Sequence, residues 1–395
     1  MLMARHGATP KGGVHRQALS DEDVAARRTL IEWGNSLGLQ AATDPAGNLF
    51  LRLAGSDAQA APVITGSHID SQPTGGKFDG VYGVLAGLEA MAAIRAAGVV
   101  PRRSIEVVAW MNEEGSRFAP GMMGSSVFSG VTQLQDILGV ADARGITVAQ
   151  ALGEMLAAFP GLPVWPLRRK PHAYIEAHIE QGPILEREGC TIGVVTGIQG
   201  KRTFAVTVTG EEAHAGTSRR RERKDALLDA LAAIQALAVL CEDEEDVTKF
   251  TVGRLEVKPN APSVVPAQVT FSIDLRHPDS AVLQRLGDQV APVCAAHAAK
   301  CSVSVRELST AMSLEFPAAI RDLIRSVARD QSISHMDILS SAGHDARYLH
   351  AVCPSGMIFV PCKDGISHNE AESATRDDLA NGTRVLVETL LRLAA

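Results

Sequence analysis

The sequence predicts an α/β fold in which a domain with a mostly parallel mixed sheet is interrupted by a smaller α+β domain. Its 395 residues exceed what a single hydrophobic core usually organises, which favours two domains. Near-continuous apolar strands alternate with helical segments over residues 48–111, a pattern typical of a buried parallel sheet. From about residue 200, the strands instead alternate apolar and polar residues, as in a sheet with one covered face. We therefore expect a larger domain, residues 1–200 and 312–395, and an inserted domain, residues 201–311.

The larger domain begins with the order helix, strand, strand, helix, strand. Ser20 is a favourable N-cap and acidic residues follow it, so a helix is expected over residues 20–38. The next elements are expected to be strands at 48–53 and 61–68, a helix at 80–99 and a strand at 104–111. In parallel sheets the functional side chains lie on loops beyond the carboxyl ends of the strands. His68 and Glu113 both fall at such ends.

The inserted domain has the strand–helix–strand–strand–helix–strand order (βαββαβ) of a two-layer α+β module. Its strands are expected at 203–210, 250–257, 268–276 and 302–307, and its helices at 225–240 and 281–298. The larger domain then resumes with a helix at 316–330, a strand at 357–362 and a closing helix at 376–393.

The composition argues against several classes of protein. A formal net charge of −7 disfavours a nucleic-acid partner, which needs a basic face. The six cysteines form no CxxC pair, which indicates scattered thiols in a reducing compartment. The most apolar long segment, 227–241, is too short to cross a bilayer, and the amino-terminal residues lack the apolar region of a signal peptide. The sequence therefore predicts a cytoplasmic protein without a nucleic-acid or membrane partner.

The segment GSHIDSQPTGGKFDG, residues 66–80, is polar and rich in glycine, yet it carries three titratable side chains. His68 and Asp70 are two residues apart at a strand end, so both project from one face. A metal-bound imidazole needs a partner for its other ring nitrogen, and an aspartate is a suitable one. Asp79 follows a glycine-rich turn that can return its carboxylate towards His68. Taken alone, such residues are more often a solvated histidine and ordinary turn aspartates.

Three further segments place imidazole or carboxylate groups near strand ends. Glu113 and Glu114 follow a hydrophobic strand, His178 lies in the strand-like segment 173–186, and His368 lies in a polar loop. Paired acids are usually a solvated face, and a lone histidine usually has a structural role. Together with His68, however, these groups form a ligand set without thiolate, which suits zinc, manganese or cobalt. Two such ions that share one carboxylate can activate a water molecule.

Eight motifs occur in a fixed order from about residue 12 to the end of the chain. They are TGSHIDSQPTGGKFDGVYGVLAGLE, NEEGSRFAPGMMGS, HIEQGPILE, AHAGTS, PNAPSVVP, DLRHP, SAGHDA and GISHNEAE. As an ordered set they resemble the hydantoinase/carbamoylase family of dinuclear metal amidohydrolases. That family includes N-carbamoyl-L-amino acid hydrolases, β-ureidopropionase and allantoate amidohydrolase. The resemblance implies a zinc-peptidase-like catalytic domain and an inserted lid domain that also forms a homodimer.

The resemblance also implies roles for residues of the catalytic domain. The metal ligands would be His68, Asp79, Glu114, His178 and His368. Asp79 would bridge two divalent metal ions per subunit; zinc is the expected metal, with manganese, cobalt and nickel as alternatives. Glu113 would act as the general base, and Asp70 would orient His68.

The substrate-binding residues implied by the resemblance come mainly from the lid domain. His214 would stabilise the oxyanion, and either subunit of the dimer could supply it. Asn260 and Arg276 would bind the substrate carboxylate, with Gln181 nearby. An arginine suits a carboxylate because its guanidinium group can donate two parallel hydrogen bonds.

The implied reaction is hydrolysis of the carbamoyl C–N bond of an N-carbamoyl-L-amino acid, which yields the amino acid, ammonia and carbon dioxide. Allantoate, another ureido acid, an N-acyl amino acid or a dipeptide are alternative substrates for the same centre. A non-catalytic metal-binding scaffold is disfavoured because Glu113 and all five ligands are retained. An α/β binding module with chance histidines would bind no metal.

One segment departs from the family pattern. Where that pattern has AHAGTTPM, this chain has Ser218, Arg219 and Arg220 in place of Thr-Pro-Met, while Arg223 and Asp225 are retained. The departure leaves the metal ligands and the base untouched but raises the question of which substrate is accepted. A solvated basic run at a helix entry is the simpler interpretation of these arginines.

Overall fold

The computed structural model describes all 395 residues, and they form two compact units. The larger unit comprises Met1–Gly197 and Phe316–Ala395, and the smaller unit comprises Ile198–Glu315. The insertion predicted from the sequence, residues 201–311, lies within this smaller unit. The lid and dimerisation roles of the smaller unit stay predictions.

The first part of the larger unit contains six strands and six helices. The strands are β1 (Gln40–Thr43), β2 (Leu49–Leu53), β3 (Val63–His68), β4 (Ile105–Trp110), β5 (Ala173–Ile179) and β6 (Ile192–Ile198). The helices are α1 (Asp21–Ser36), α2 (Val81–Ala96), α3 (Met123–Ser129), α4 (Leu134–Leu138), α5 (Val148–Ala157) and α6 (Ile184–Glu188), after a short 3-10 helix, Met3–Arg5. The N-cap predicted for α1 is confirmed, because the Ser20 side chain accepts the backbone N–H of Asp23.

The smaller unit is built around an antiparallel sheet with two helices. Its strands are β7 (Gly200–Thr209), β8 (Ala213–His214), β9 (Lys249–Thr251), β10 (Leu255–Lys258), β11 (Val264–Val265), β12 (Gln268–His277), β13 (Ser302–Ala311) and β14 (Leu314–Glu315). Its helices are α7 (Ala226–Leu240) and α8 (Ser280–His297), with a 3-10 helix at Arg220–Glu222. The main sheet has the order β10-β12-β7-β13, and β9 also pairs with β12. Strand β8 pairs with β11 in a separate ribbon.

Two strand predictions for the smaller unit were inaccurate. The single strand expected at 250–257 was wrong, because the chain breaks into β9 and β10. Three residues, 252–254, lie opposite two residues of β12, 272–273, so the strand bulges at Gly253. The strand expected at 302–307 continues to Ala311 through an irregularity between Glu307 and Ser309.

The second part of the larger unit completes its sheet. It contains strands β15 (His335–Ser340) and β16 (Ser355–Val360), helices α9 (Ala318–Asp330), α10 (Ala346–Leu349) and α11 (Arg376–Leu393), and a 3-10 helix, Lys363–Gly365. Within this unit the strand order is β1-β2-β4-β3-β5-β16-β6, with β15 beside β6. The four central strands, β4, β3, β5 and β16, are parallel. The pairs β1–β2, β2–β4 and β16–β6 are antiparallel. The expected α/β class with a mixed sheet is confirmed.

The core of the larger unit fixes the position of the polar segment between β3 and α2. All six residues of β3 are buried, and most of α2 is buried against the sheet and α11. Because both flanking elements are anchored in the core, residues 69–80 are constrained at both ends. None of the helices combines the length and the apolar character needed to span a membrane.

Candidate metal centre

The predicted ligands converge at one edge of the central parallel strands. His68 is the last residue of β3, and His178 is the next-to-last residue of β5. Glu114 follows the end of β4, and His368 lies in the loop between β16 and α11. Asp79 lies just before α2. Since parallel strands direct their carboxyl ends to the same edge, residues distant in sequence meet there.

The five side chains form two clusters that share Asp79. In the first cluster, Asp79 Oδ1 lies 3.2 Å from His178 Nε2 and 3.9 Å from His68 Nε2. In the second, His368 Nε2 lies 3.1 Å from Asp79 Oδ2 and 3.4 Å from Glu114 Oε2. Within each cluster, one donor atom per residue lies within 4.8 Å of the others. Asp79 thus directs one oxygen towards each cluster, as a bridging carboxylate does.

The backbone fixes the tautomers of the two buried histidines. His68 Nδ1 lies 3.0 Å from the carbonyl oxygen of Asp70, and His178 Nδ1 lies 2.8 Å from that of Ile179. A carbonyl oxygen only accepts, so both Nδ1 atoms carry a proton, and in the neutral ring Nε2 keeps its lone pair. The Nε2 of His178 accepts the backbone N–H of Gly80 at 3.1 Å. Donation from Nδ1 to an oxygen is the usual arrangement of a metal-binding histidine.

Asp70 acts through its side chain on a different group from the one expected. Its carboxylate accepts the backbone N–H groups of Glu113 and Glu114, each at 3.2 Å. The nearer contact of His68 is with the carbonyl of Asp70, since the carboxylate Oδ1 lies 3.6 Å from Nδ1. Asp70 therefore fixes His68 mainly through its backbone, and its side chain fixes the two glutamates. Glu113 Oε2 in turn lies 3.5 Å from His68 Nε2.

The charges of the site suit divalent cations. Burial raises the pKa of Glu113 well above its ordinary value, and the nearby carboxylates, first Asp345, raise it further. Burial and then Asp79 raise the pKa of Glu114 to about 8. The ion-pair partners of Asp79 and Glu114 are all histidines, with no lysine or arginine among them. Imidazole and carboxylate donors gathered without a basic side chain form a set that zinc and similar ions accept.

His68 has the charge state that a ligand needs. Burial lowers its pKa to about 4, although Asp79 acts in the opposite direction. The ring is therefore neutral at pH 7. Gly80, at φ +65°, lies against this ring, and a Cβ at that position would overlap it. Only glycine allows both the left-handed backbone and the close approach.

Two glutamines contact the carboxylates of the site. Gln72, for which no role was predicted, donates its Nε2 to Glu114 Oε2 at 2.7 Å and its backbone N–H to Oε1 at 3.2 Å. Gln181 donates its Nε2 to both oxygens of Asp79, each at 3.1 Å. The structure thus brings Gln181 to the carboxylate that the two clusters share, and the substrate-binding role of Gln181 stays a prediction. Gln72 lies in the segment between His68 and Asp79. No sequence pattern relates it to Glu114, so this contact could not be predicted.

A third cluster shares His178 with the first. It consists of Glu176, His178 and His344, all buried. Its members already have partners, because Glu176 accepts from Ser67 Oγ at 2.6 Å and from the backbone N–H of Ala346 at 2.9 Å. His344 Nε2 lies 3.0 Å from the hydroxyl oxygen of Ser340. These hydrogen bonds make the cluster a weaker candidate for a cation than the two that share Asp79.

The candidate residues of the smaller unit lie on its exposed parts. His214 pairs with Val264, so the AHAGTS and PNAPSVVP motifs are neighbours within this unit. Asn260 is exposed and has φ +55°. Arg276, near the end of β12, is half-buried and donates its Nε to Asp274 at 2.8 Å. The catalytic or binding roles of these three residues stay predictions.

The basic run that departs from the family pattern is solvated. The side chains of Arg219 and Arg221 are 69% and 76% exposed, and both lie near Glu222, at 3.6 and 3.7 Å. This geometry agrees with the simpler interpretation of the run as a solvated surface. Its influence on substrate choice stays a prediction.

Known proteins resemble this chain over nearly its whole length. The model of Peptidase family M20/M25/M40 matches residues 64–392. An N-carbamoyl-L-amino-acid amidohydrolase of Rhizobium meliloti is 38% identical, over 100% of this chain and 94% of that protein. An allantoate amidohydrolase of Bacillus subtilis is 34% identical, over 99% of this chain and 95% of that protein.

A solved structure is similar in both sequence and fold. It is an amidase of the hydantoinase/carbamoylase family from Burkholderia multivorans, with a TM-score of 0.89 and 45% identity. The match covers 100% of this chain and 96% of that one. The chain therefore belongs to the M20/M25/M40 peptidase family and, within it, to the hydantoinase/carbamoylase amidases, which hydrolyse carbon–nitrogen bonds other than peptide bonds.

Proposed function

We propose that this protein hydrolyses the carbamoyl C–N bond of N-carbamoyl-L-amino acids, with two divalent metal ions per subunit. The amino acid, ammonia and carbon dioxide are the products. The observation that carries the proposal is the position of Glu113, a carboxylate only 11% exposed and 3.5 Å from His68, at the edge of two donor clusters that share Asp79. Relatives named N-carbamoyl-L-amino-acid amidohydrolases support the choice of substrate class.

His68, His178 and Asp79 would hold one ion, and Asp79, Glu114 and His368 the other. When bound, a pair of divalent ions lowers the pKa of water and stabilises negative charge on a carbonyl oxygen. Zinc is the first candidate because the ligands are imidazole and carboxylate without thiolate, and manganese, cobalt and nickel remain alternatives.

Glu113 is proposed as the group that moves the proton. Its raised pKa, caused by burial and by neighbouring carboxylates, makes it a stronger base than an exposed glutamate. It accepts the proton of the attacking water and then donates it to the leaving nitrogen, so one carboxylate serves both steps. The Asp70 carboxylate holds the backbone of Glu113 and thereby limits the positions that this base can take.

His214 is proposed as the donor to the oxyanion. Its Nδ1 accepts the backbone N–H groups of Gly216 and Thr217, at 3.0 and 3.1 Å. The proton of the neutral ring must therefore lie on Nε2, which is a hydrogen-bond donor as this role requires. For Asn260 and Arg276 we propose recognition of the substrate carboxylate, a role that the guanidinium geometry of Arg276 suits.

Allantoate is the second candidate substrate. Two relatives with 34% identity over 99% of this chain are named allantoate amidohydrolases, and allantoate also carries ureido groups and a carboxylate. The basic run Arg219–Arg221 is a further reason to test substrates that, like allantoate, carry more than one polar group.

The experiment is a measurement of ammonia release from N-carbamoyl amino acids, allantoate, an N-acetyl amino acid and a dipeptide. The protein is reloaded in turn with zinc, manganese, cobalt or nickel. N-carbamoyl-L-amino acids should give the highest kcat/KM, and the N-acetyl amino acid and the dipeptide should release no ammonia. Glu113→Gln should lower kcat about 10²- to 10⁴-fold, the usual contribution of a general base. Full activity of that variant, or turnover of allantoate alone, would overturn the proposal.

A further inference from the structure

A buried carboxylate outside the proposed ligand set joins two ligand-bearing loops. Glu372 follows His368 by four residues and is only 4% exposed. Its Oε1 accepts the backbone N–H of Phe78 at 2.8 Å and that of Asp79 at 3.1 Å. Its Oε2 accepts the hydroxyl of Ser367 at 3.0 Å. One side chain thus contacts the residue before His368 and the backbone of the bridging aspartate.

The chain leaves space for this side chain at Gly76. A Cβ at Gly76 would overlap the carboxyl group of Glu372. The glycine therefore permits a close approach between the loop that precedes α2 and the loop that precedes α11. An alanine at position 76 would force the glutamate to move, although the backbone conformation itself tolerates a side chain there.

Burial of the Glu372 carboxylate costs free energy, which indicates that this side chain serves another part of the molecule. A buried carboxylate loses its hydration, and neither lysine nor arginine is among its hydrogen-bond partners. Asp79 lies close by with a charge of the same sign. The two backbone N–H groups and one hydroxyl satisfy the oxygens without cancelling the charge.

We propose that Glu372 is a positioning residue that links the Asp79 loop to the His368 loop and thereby sets the geometry of the second metal cluster, formed by Asp79, Glu114 and His368. The proposal rests on the dinuclear centre of the proposed function. The two loops are almost 300 residues apart in the chain, and Glu372 bonds directly to the backbone of the first. Its removal would let His368, whose side chain is half exposed, move relative to Asp79.

The test is a titration of the metal-free protein with Co²⁺. Calorimetry and the visible absorption spectrum of the bound ion monitor the binding. Wild type should bind two ions. Glu372→Ala should weaken one of the two sites about 10- to 100-fold, the usual effect of losing a partner beyond the direct ligands, and change its spectrum. The other site shares Asp79 but should lose less affinity, because its two histidines, His68 and His178, have separate backbone partners.

Two further variants separate positioning from a general loss of stability. Glu372→Gln should retain both affinities within about threefold, because the amide oxygen accepts the same two N–H groups and Ser367 can accept from the amide nitrogen. Gly76→Ala should weaken the same site as Glu372→Ala, since it displaces the glutamate without removing it. Thermal unfolding of each metal-free variant shows whether the fold is retained.

Glu370→Ala is the matched control, since this neighbouring acid bonds to Thr9 rather than to the Asp79 loop. It should bind both ions as wild type does. Wild-type affinities in Glu372→Ala and Gly76→Ala would overturn the inference while leaving the proposed function intact. Equal losses in Glu372→Gln and Glu372→Ala would also overturn it. A wild-type protein that binds fewer than two ions would overturn both the inference and the dinuclear centre.

Discussion

The histidines of the two units differ in which ring nitrogen the backbone occupies. In the larger unit, Nδ1 of His68 and Nδ1 of His178 donate to carbonyl oxygens, and the Nε2 atoms lie 3.9 and 3.2 Å from Asp79 Oδ1. In the smaller unit, Nδ1 of His214 accepts two backbone N–H groups, which leaves Nε2 with the proton. The same side chain is thus suited to bind a metal in one place and to donate a hydrogen bond in the other, as we propose.

Burial follows the same division. His68 and His178 are 3% and 1% exposed, so their positions are fixed by the core, whereas His214 is exposed. A ligand must stay in place before the substrate arrives, while a donor to a developing charge acts only during the reaction. The comparison therefore predicts that substitutions in the two places affect different quantities, metal content in one and turnover in the other.

The largest effect is expected for His178→Ala. Loss of this ligand should remove about one metal equivalent and lower kcat/KM by about 10³-fold or more, since a bound ion contributes several kcal/mol to the reaction. Metal content by elemental analysis and ammonia release are the measurements. Full metal occupancy in this variant would contradict the role of His178 as a ligand.

A smaller effect is expected for His214→Ala. Removal of one donor to the oxyanion typically lowers kcat about 10²- to 10³-fold, and metal content should remain that of wild type. The contrast with His178→Ala is the informative result. If His214→Ala lost metal, the distinction between ligand and donor would not hold.

Asp70→Asn tests which groups of the larger unit the Asp70 carboxylate positions. The carbonyl that fixes His68 is unchanged, so metal affinity should stay within about threefold of wild type. The amide can accept only one of the two N–H groups of Glu113 and Glu114, so kcat should fall about 10- to 100-fold through a misplaced base. If the variant instead bound less metal, and the metal-bound molecules kept normal kcat, the carboxylate would be shown to orient His68.

The smallest effect is expected for Arg223→Lys in the smaller unit. Arg223 donates to the carbonyl of Ala215 at 2.6 Å and to the hydroxyl of Ser218 at 3.0 Å, so it fixes the loop that carries His214. Loss of one of these hydrogen bonds, worth about 1 kcal/mol, should lower kcat about fivefold. Metal content should not change, and an Arg223→Lys protein with reduced metal content would contradict this role.

Strand ends in the sequence predict much of the site. His68, Glu113, Glu114, His178 and His368 each follow or end an apolar strand, and parallel strands must gather such residues at one edge. The order of the elements predicts the mixed sheet and the βαββαβ insertion for the same reason. Local patterns suffice here because the hydrophobic core dictates where each strand stops.

Contacts between distant loops are not predictable in this way. Glu372 and Gln72 bond to groups that no periodic pattern relates to them, so their roles follow only from the folded arrangement of the loops. The glycines of the segment 66–80 show the same limit. The predicted return of Asp79 towards His68 does occur, with 3.9 Å between Asp79 Oδ1 and His68 Nε2. The space that Gly80 gives to the His68 ring and Gly76 to Glu372 was not predictable from the segment itself.

The break between β9 and β10 has a similar origin. The alternation of FTVGRLEV predicts one strand, but the extra residue at Gly253 depends on the register with β12, which the segment itself does not encode.

The most direct test of the dinuclear centre is a crystal structure of the zinc-loaded protein with anomalous scattering measured at the zinc edge. Two peaks are expected, one among His68, His178 and Asp79 and the other among Asp79, Glu114 and His368, with Asp79 between them. A single peak among Glu176, His178 and His344, or the absence of any peak beside Asp79, would contradict the shared-carboxylate centre on which the proposed function depends.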